Sequence, residues 1–413
     1  MKSLYLFQNA RIIDFNHETP SKLLDVLIDN GHISKIGEKI SVDSEVKKID
    51  LAGKYMLPGL IDNHVHLTAA QFDLADTELP ETYIAIQSSQ YMEDMLNRGF
   101  TSVRDAGGAD FGLQLALDKE LIKGPRLFRS GKAISQTGGH GDFYHRSETF
   151  DQCFCRQGGS SISMIADGIS SVRKVVREQL RTGATQVKIM ASGGIASPTD
   201  HIQNVQFSEE EIRAVVEEAH NAGTYVMAHA YAPSAITRCI NNGVRTIEHG
   251  NLLDRPTAKL MKEKDAYLVP TMIIYHAIGE IGAEEGFPQE SLKKLKDVVE
   301  NALVAVKIAR EEGVKIGFGT DLLGPRAGKM QSQEFVLRAK GSETPHQIIS
   351  SATYINAEIL QQEGKLGVIK EGAFADLIVV DGNPLEDISL LSGQGEHIPL
   401  VMKAGVVYKN LLA

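Results

Sequence analysis

Between Tyr55 and Thr320 the chain alternates between short apolar runs and longer stretches of helical character. The apolar runs are Tyr55–Leu60, Thr101–Asp105, Arg126–Ser130, Gln186–Ala191, Thr224–His229, Arg245–His249, Ala266–Thr271 and Lys315–Thr320. Helical stretches between them include Pro80–Arg98, Gly168–Thr182, Ser208–Ala222, Pro233–Asn241, Thr257–Lys264 and Gln289–Glu312. Ser208 followed by Glu209, Glu210 and Glu211 reads as a capping box, with negative charge at the positive end of a helix. Strands that alternate with helices argue for a parallel sheet, because parallel neighbours need a crossover connection. Eight such units predict a closed (β/α)8 TIM barrel of the α/β class rather than an open doubly wound sheet. No G-x-G-x-x-G opens the first helix, which lowers the dinucleotide-binding alternative.

The two ends of the chain have another texture. Leu4–Phe7, Ala10–Ile13, Asp25–Asp29, His32–Ile36 and Lys47–Leu51 are short alternating or β-branched runs, with turns such as Asn30-Gly31 between them. Ala375–Asp381 is an apolar strand, and Pro399–Lys409 reads as a hairpin turning at Ala404-Gly405. The expected organisation is a small β-sandwich from residues 1–55 together with 365–413, flanking a barrel of residues 56–364. The chain has 413 residues, 42% of them hydrophobic, enough to fill a large core. A formal charge of −10 argues against a nucleic-acid partner, which would call for a basic face. Cys153, Cys155 and Cys239 make no disulfide framework, and Cys153-Phe154-Cys155 has no second pair that would complete a metal site. With no apolar run of membrane length and no signal-peptide pattern, the expectation is a cytoplasmic protein without a membrane partner.

Chemistry concentrates at the ends of the expected strands. His64 and His66 follow Leu57-Pro58-Gly59-Leu60-Ile61-Asp62, and residues two apart on a strand face the same way. Both can aim at one ion, and imidazole suits zinc and related transition metals. Lys188 lies inside the apolar strand QVKIMA, where an unpartnered ammonium is costly. His229 ends one strand, His249 ends the next, and Asp321 follows the last. Five strand ends supply four histidines, a lysine and an aspartate at the rim where barrel active sites form.

In that order, His64-x-His66, Lys188, His229, His249 and Asp321 resemble the ligands of the amidohydrolase superfamily, in its two-metal subtype. Leu57–Asp62 is similar to that family's lead into the first strand. Gly364-Lys365-Leu366-Gly367 through Val380-Asp381 is similar to its return to the β-sandwich. The resemblance implies one metal ion on His64, His66 and Asp321, a second on His229 and His249, and Lys188 bridging both as a carbon dioxide-derived carbamate. An ammonium beside two dications would be repelled, whereas a carbamate is an anion with two oxygen ligands. The implied reaction is hydrolysis of a carbon–nitrogen bond by a hydroxide held between two divalent ions, zinc being the expected metal, with Asp321 as general base and then acid.

Gly138–Asp142, Ser192–Asp200 and His229-Ala230-Tyr231 resemble a branch of metallo-carboxypeptidases and dipeptidases acting on short peptides. That resemblance implies release of a C-terminal residue, Arg or Lys, with His140 and Tyr231 binding the substrate α-carboxylate, and a homo-oligomer. The alternatives are an Xaa-Pro dipeptidase similar to prolidase and a cyclic-amide hydrolase related to imidazolonepropionase. The cyclic-amide relatives often use one metal and lack the bridging lysine, so Lys188 speaks against them. A basic side chain would need a loop carboxylate, and Asp142, Glu148, Asp151, Asp167 and Asp200 are the candidates. His145 and His201 read as solvent-facing loop residues, and His220 and His276 as helix-end or packing residues.

Overall fold

The computed structural model describes residues 4–42, 46–72, 74, 79–144, 162–197, 200–287, 289–341 and 343–412. His145, Glu148, Asp151, Cys153 and Cys155 lie outside these described residues. The N-terminal strands are β1 (Tyr5–Ile12), β2 (Leu23–Asp29), β3 (His32–Gly37), β4 (Lys47–Asp50) and β5 (Tyr55–Pro58). The middle of the chain supplies β6 (Leu60–Val65), β7 (Phe100–Asp105), β8 (Arg126–Arg129), β9 (Ala133–Ser135), β10 (Ser163–Ile165), β11 (Val187–Met190), β12 (Val226–Ala230), β13 (Thr246–His249), β14 (Tyr267–Val269) and β15 (Lys315–Ile316). The C-terminal strands are β16 (Leu377–Val380), β17 (Leu400–Lys403) and β18 (Val406–Asn410).

Both chain ends join one mixed, mainly antiparallel sheet, in the order β18-β17-β16-β5-β1-β2-β3 with β4 on β1. The turn at Asn30-Gly31 has positive φ at both residues, as a tight two-residue hairpin requires. Side-chain alternation gives the sheet two buried faces. Leu377 and Val379 of β16 join Phe7, Val26 and Leu400 in the core of the sheet itself. Ile378 and Val380 point the other way and pack with Leu57, Phe100 and Phe318 against the parallel strands.

The run expected as the first barrel strand, Tyr55–Leu60, is divided. Tyr55–Pro58 pairs with β1 and β16, and only from Leu60 does the chain run parallel to β7. Gly59 makes the crossing, because a Cβ there would stand 2.0 Å from Thr101 Oγ1. Both halves are buried on both faces, so the apolar pattern carries no mark of the break.

The parallel strands form a seven-stranded sheet, β10-β9-β11-β12-β13-β14-β15, and a three-stranded sheet, β6-β7-β8. The closed ring expected from the sequence is not one continuous ladder, and the two sheets meet at seams bridged by individual bonds. At one seam Thr185 N donates to Arg129 O at 2.8 Å. At the other, Asn63 N donates to Phe318 O (2.9 Å) and Asp321 N to His64 O (2.7 Å). The Asn356 amide takes over ladder bonds at this second seam. It accepts from Phe318 N (3.0 Å) and donates to Ile61 O (2.7 Å) and Phe318 O (2.8 Å). Helices pack on the outer faces, and the expected capping box at Ser208 and Glu211 opens the helix Glu209–Asn221. Among the described residues no helix is long and apolar enough to cross a membrane.

Candidate metal centre

Six side chains from distant parts of the sequence face one cavity: His64, His66, Lys188, His229, His249 and Asp321. Asp321 Oδ1 lies 3.4 Å from His64 Nε2 and 3.2 Å from His66 Nε2. These three residues place ligand atoms within 4.8 Å of one another, a group able to hold a metal ion. Lys188 Nζ is 3.5 Å from His64 Nε2. The His249 ring lies 5.1 Å from that of His64 and 4.6 Å from that of His229, centroid to centroid. His229 Nε2 is 3.2 Å from Gly193 O, so its ring is turned toward the loop after β11.

Donor chemistry suits divalent ions. His64 Nδ1 is 2.7 Å from Glu248 Oε2, His66 Nδ1 2.8 Å from Gly107 O, and His249 Nδ1 2.7 Å from Thr271 Oγ1. With Nδ1 engaged, Nε2 of each ring is left as the ligand atom. Burial pushes His249 down to about 3 and holds His64 and His229 well below the usual imidazole range, which keeps these rings neutral. His66 goes the other way: burial lowers it, but Asp321 and Asp105 raise it above its ordinary value. Burial would raise the Asp321 carboxyl, but His64, His66 and His249 around it hold it well below the usual carboxylate range. Burial also brings the Lys188 amine down to about 8, so a neutral nucleophilic amine is accessible near physiological pH. His249, Thr271 and Asp321 all have positive φ (72°, 44° and 55°), a concentration of backbone strain around one site.

His140 and Tyr231 line the same cavity. The His140 ring stacks on His229 at 4.1 Å, and its Nδ1 lies 2.9 Å from Ser197 Oγ. Ser197 in turn donates to Asp200. Gly194 is needed beside it, since a Cβ there would fall 2.2 Å from the His140 ring. Tyr231 stacks on His249 at 5.3 Å, and its hydroxyl is 3.0 Å from that of Tyr275, which donates to Asn251 Oδ1 at 3.1 Å. Asp142, Asp167 and Asp200 are occupied within their own loops. They accept from Gly138 N, from Thr137 N, and from Gln206 Nε2 respectively.

Sequence reasoning passed over Glu248, Arg104, Thr271 and Tyr275. The first two were open to the argument that singled out Lys188, a charge inside an apolar strand. Thr271 and Tyr275 carry no such signal.

The sequence profile of the amidohydrolase family matches residues 55–407. An ochratoxinase of Aspergillus niger is 34% identical over 370 residues, spanning 86% of this chain and 76% of its own length. Among solved structures, a prolidase complexed with N-methylphosphonate-L-proline is 45% identical, with a TM-score of 0.96 over 99% of this chain and 100% of that one. An Xaa-Pro dipeptidase with methionine bound in its active site is 32% identical, with a TM-score of 0.89 over 99% and 100%. The profile covers nearly the whole chain and the His64–His66–Asp321 group stands where a metal ion can be held, so this chain belongs to the amidohydrolase family of hydrolases.

Proposed function

We propose that the chain is a two-metal dipeptidase that cleaves the last peptide bond of dipeptides and short peptides and releases the C-terminal residue. The observation that carries this reading is the content of one cavity: a cluster of metal-competent donors beside His140 and Tyr231, whose N–H and O–H would serve a substrate anion on turning from Ser197 and Tyr275. A prolidase and an Xaa-Pro dipeptidase among the similar structures support the same substrate class.

His64, His66 and Asp321 would hold one ion and His229 and His249 the other, with Lys188 between them as a carbamate. Bound there, divalent ions supply Lewis acidity toward the scissile carbonyl and toward water. Asp321, kept ionised at neutral pH by its histidine neighbours, accepts the proton of the attacking water and delivers it to the leaving amine. His140 and Tyr231 anchor the substrate α-carboxylate and so set which bond lies over the donors.

The described part of the wall is compatible with an imino or apolar C-terminal residue, the alternative to a basic one. Phe143, Ile162, Ile195, Ile274, Phe287 and Leu323 line it, and among the described lining residues Asp321 is the only acid. A C-terminal Arg or Lys would need a further carboxylate; of the loop candidates, Asp142, Asp167 and Asp200 accept hydrogen bonds within their own loops, and Glu148 and Asp151 lie outside the described residues. The test is a dipeptide library incubated with the zinc-loaded protein, with free amino acids quantified. Release from Xaa-Pro and Xaa-apolar substrates, abolished by C-terminal amidation, is expected. Turnover of cyclic amides alone, with no dipeptide cleaved, would overturn the reading.

A further inference from the structure

Directly behind the metal group stands a carboxylate that touches neither the cavity nor solvent. Glu248 and Arg104 are both 0% exposed. Arg104 reaches from β7 across the interior and donates from Nη2 to both oxygens of Glu248 on β13, at 2.9 and 3.0 Å. Its Nε donates to Asn63 O at 2.7 Å and its Nη1 to Thr246 Oγ1 at 3.2 Å. The Thr246 hydroxyl donates to Glu248 Oε1 at 2.6 Å. One further partner remains to Glu248, and His64 Nδ1 fills that place at 2.7 Å from Oε2.

A buried ion pair is a poor device for stability, because apolar residues of the same volume often stabilise as well or better. This pair also has a directed output. A neutral imidazole has a single N–H, and the nitrogen that bears it cannot bind a metal. If the proton is fixed on Nδ1, the Nε2 lone pair is presented to the cavity, where it already lies 3.4 Å from Asp321 Oδ1. Arg104 fixes the orientation of the Glu248 carboxylate by bonding both of its oxygens. The pair is neutral in sum, so it orients His64 without altering the net charge of the site.

We propose that Glu248, held by Arg104, is a positioning residue for the metal centre, fixing His64 in the tautomer and ring orientation that offer Nε2 to an ion. The proposal rests on the metal-centre reading given above, and its test separates the two. Zinc affinity is measured by chelator competition on the wild-type protein, on Glu248→Gln and on Glu343→Gln. The last variant disturbs another buried arginine pair, Arg338–Glu343, neither residue of which lines the cavity. Glu248→Gln is expected to bind zinc roughly 10–100-fold more weakly, the usual effect of losing a partner behind a ligand histidine. Glu343→Gln is expected to keep wild-type affinity. A folded Glu248→Gln with wild-type affinity overturns the positioning role. A wild-type protein that binds no zinc overturns the metal centre instead. Neutron diffraction from the zinc-loaded wild type reads the tautomer without any variant. A hydrogen on His64 Nδ1 is expected, and one on Nε2 overturns the proposal.

Discussion

Lys188 lies in β11 with 1% of its surface exposed, and its Nζ approaches an imidazole rather than a carboxylate. Burial brings its amine down to about 8, so near neutrality a useful fraction is unprotonated and can add carbon dioxide. The carbamate reading therefore predicts that metal-stripped protein regains zinc and activity faster when bicarbonate is supplied. Equal rates with and without bicarbonate would count against a carbamate. Lys188→Ala is expected to lose at least one zinc per chain and about a thousandfold in kcat, as removal of a group central to catalysis commonly does. Lys188→Arg should not restore either, because a guanidinium stays charged and forms no carbamate. Metal analysis and steady-state rates check both. Tyr231 gives a different signature. If its hydroxyl serves the substrate carboxylate, Tyr231→Phe raises KM roughly tenfold or more, the scale of a hydrogen bond to a charged group, with kcat little changed. A fall in kcat at constant KM would place Tyr231 at the reacting bond instead.

The helix Met272–Ile281 shows what an element can hide from its sequence. Ile274, Tyr275 and Ile278 line the cavity, yet the helix starts from Thr271 at positive φ with no side-chain cap of its own. Its cap comes from Glu334, which accepts from Ile273 N at 2.7 Å and Met272 N at 3.4 Å. A partner 61 residues away in sequence leaves no local signature, so this support was not legible. Ser208 and Glu211 were legible because their capping box closes within one turn. The six cavity residues could also be read from the sequence, because each interrupts or ends an apolar strand. Burial raises Glu334 to about 8, against 4.5 for an ordinary glutamate. Between those values the unfolded chain releases this proton while the folded chain keeps it. The unfolded state then binds fewer protons, and stability falls as pH rises through the window. Urea midpoints of the wild type, compared with Glu334→Gln from about pH 4.5 to about pH 8, should show a decline in the wild type that is absent or smaller in the variant. Parallel curves would mean that Glu334 is already ionised in the folded state.

At the scale of the whole molecule, the β6 seam decides whether two halves of the metal group stay together. His64 and His66 arrive on and just after β6, whereas Asp321 arrives on the segment after β15. The alternation of strands and helices foretells that such segments are neighbours. It cannot foretell that their ladder is replaced, in part, by the side chain of Asn356. That residue follows a π-helical turn, Ser351–Ile355, and lies 38 residues beyond Phe318. Replacing Asn356 by Ala removes the acceptor for Phe318 N and the donor to Ile61 O, leaving buried backbone groups without partners. A loss of roughly 2–4 kcal/mol in unfolding free energy is expected from groups of that kind. The same change should speed amide exchange at Phe318 and Asn63, whose bonds span the seam. Since Asp321 N is bonded to His64 O across this line, loosening it lets the two ligand segments drift apart. Zinc affinity should then fall in Asn356→Ala, although Asn356 is not among the residues that line the cavity. A variant that is destabilised yet binds zinc as tightly as the wild type would show the reverse. The metal group would then be held by β6 and the Asp321 segment independently, and the clasp would serve folding alone.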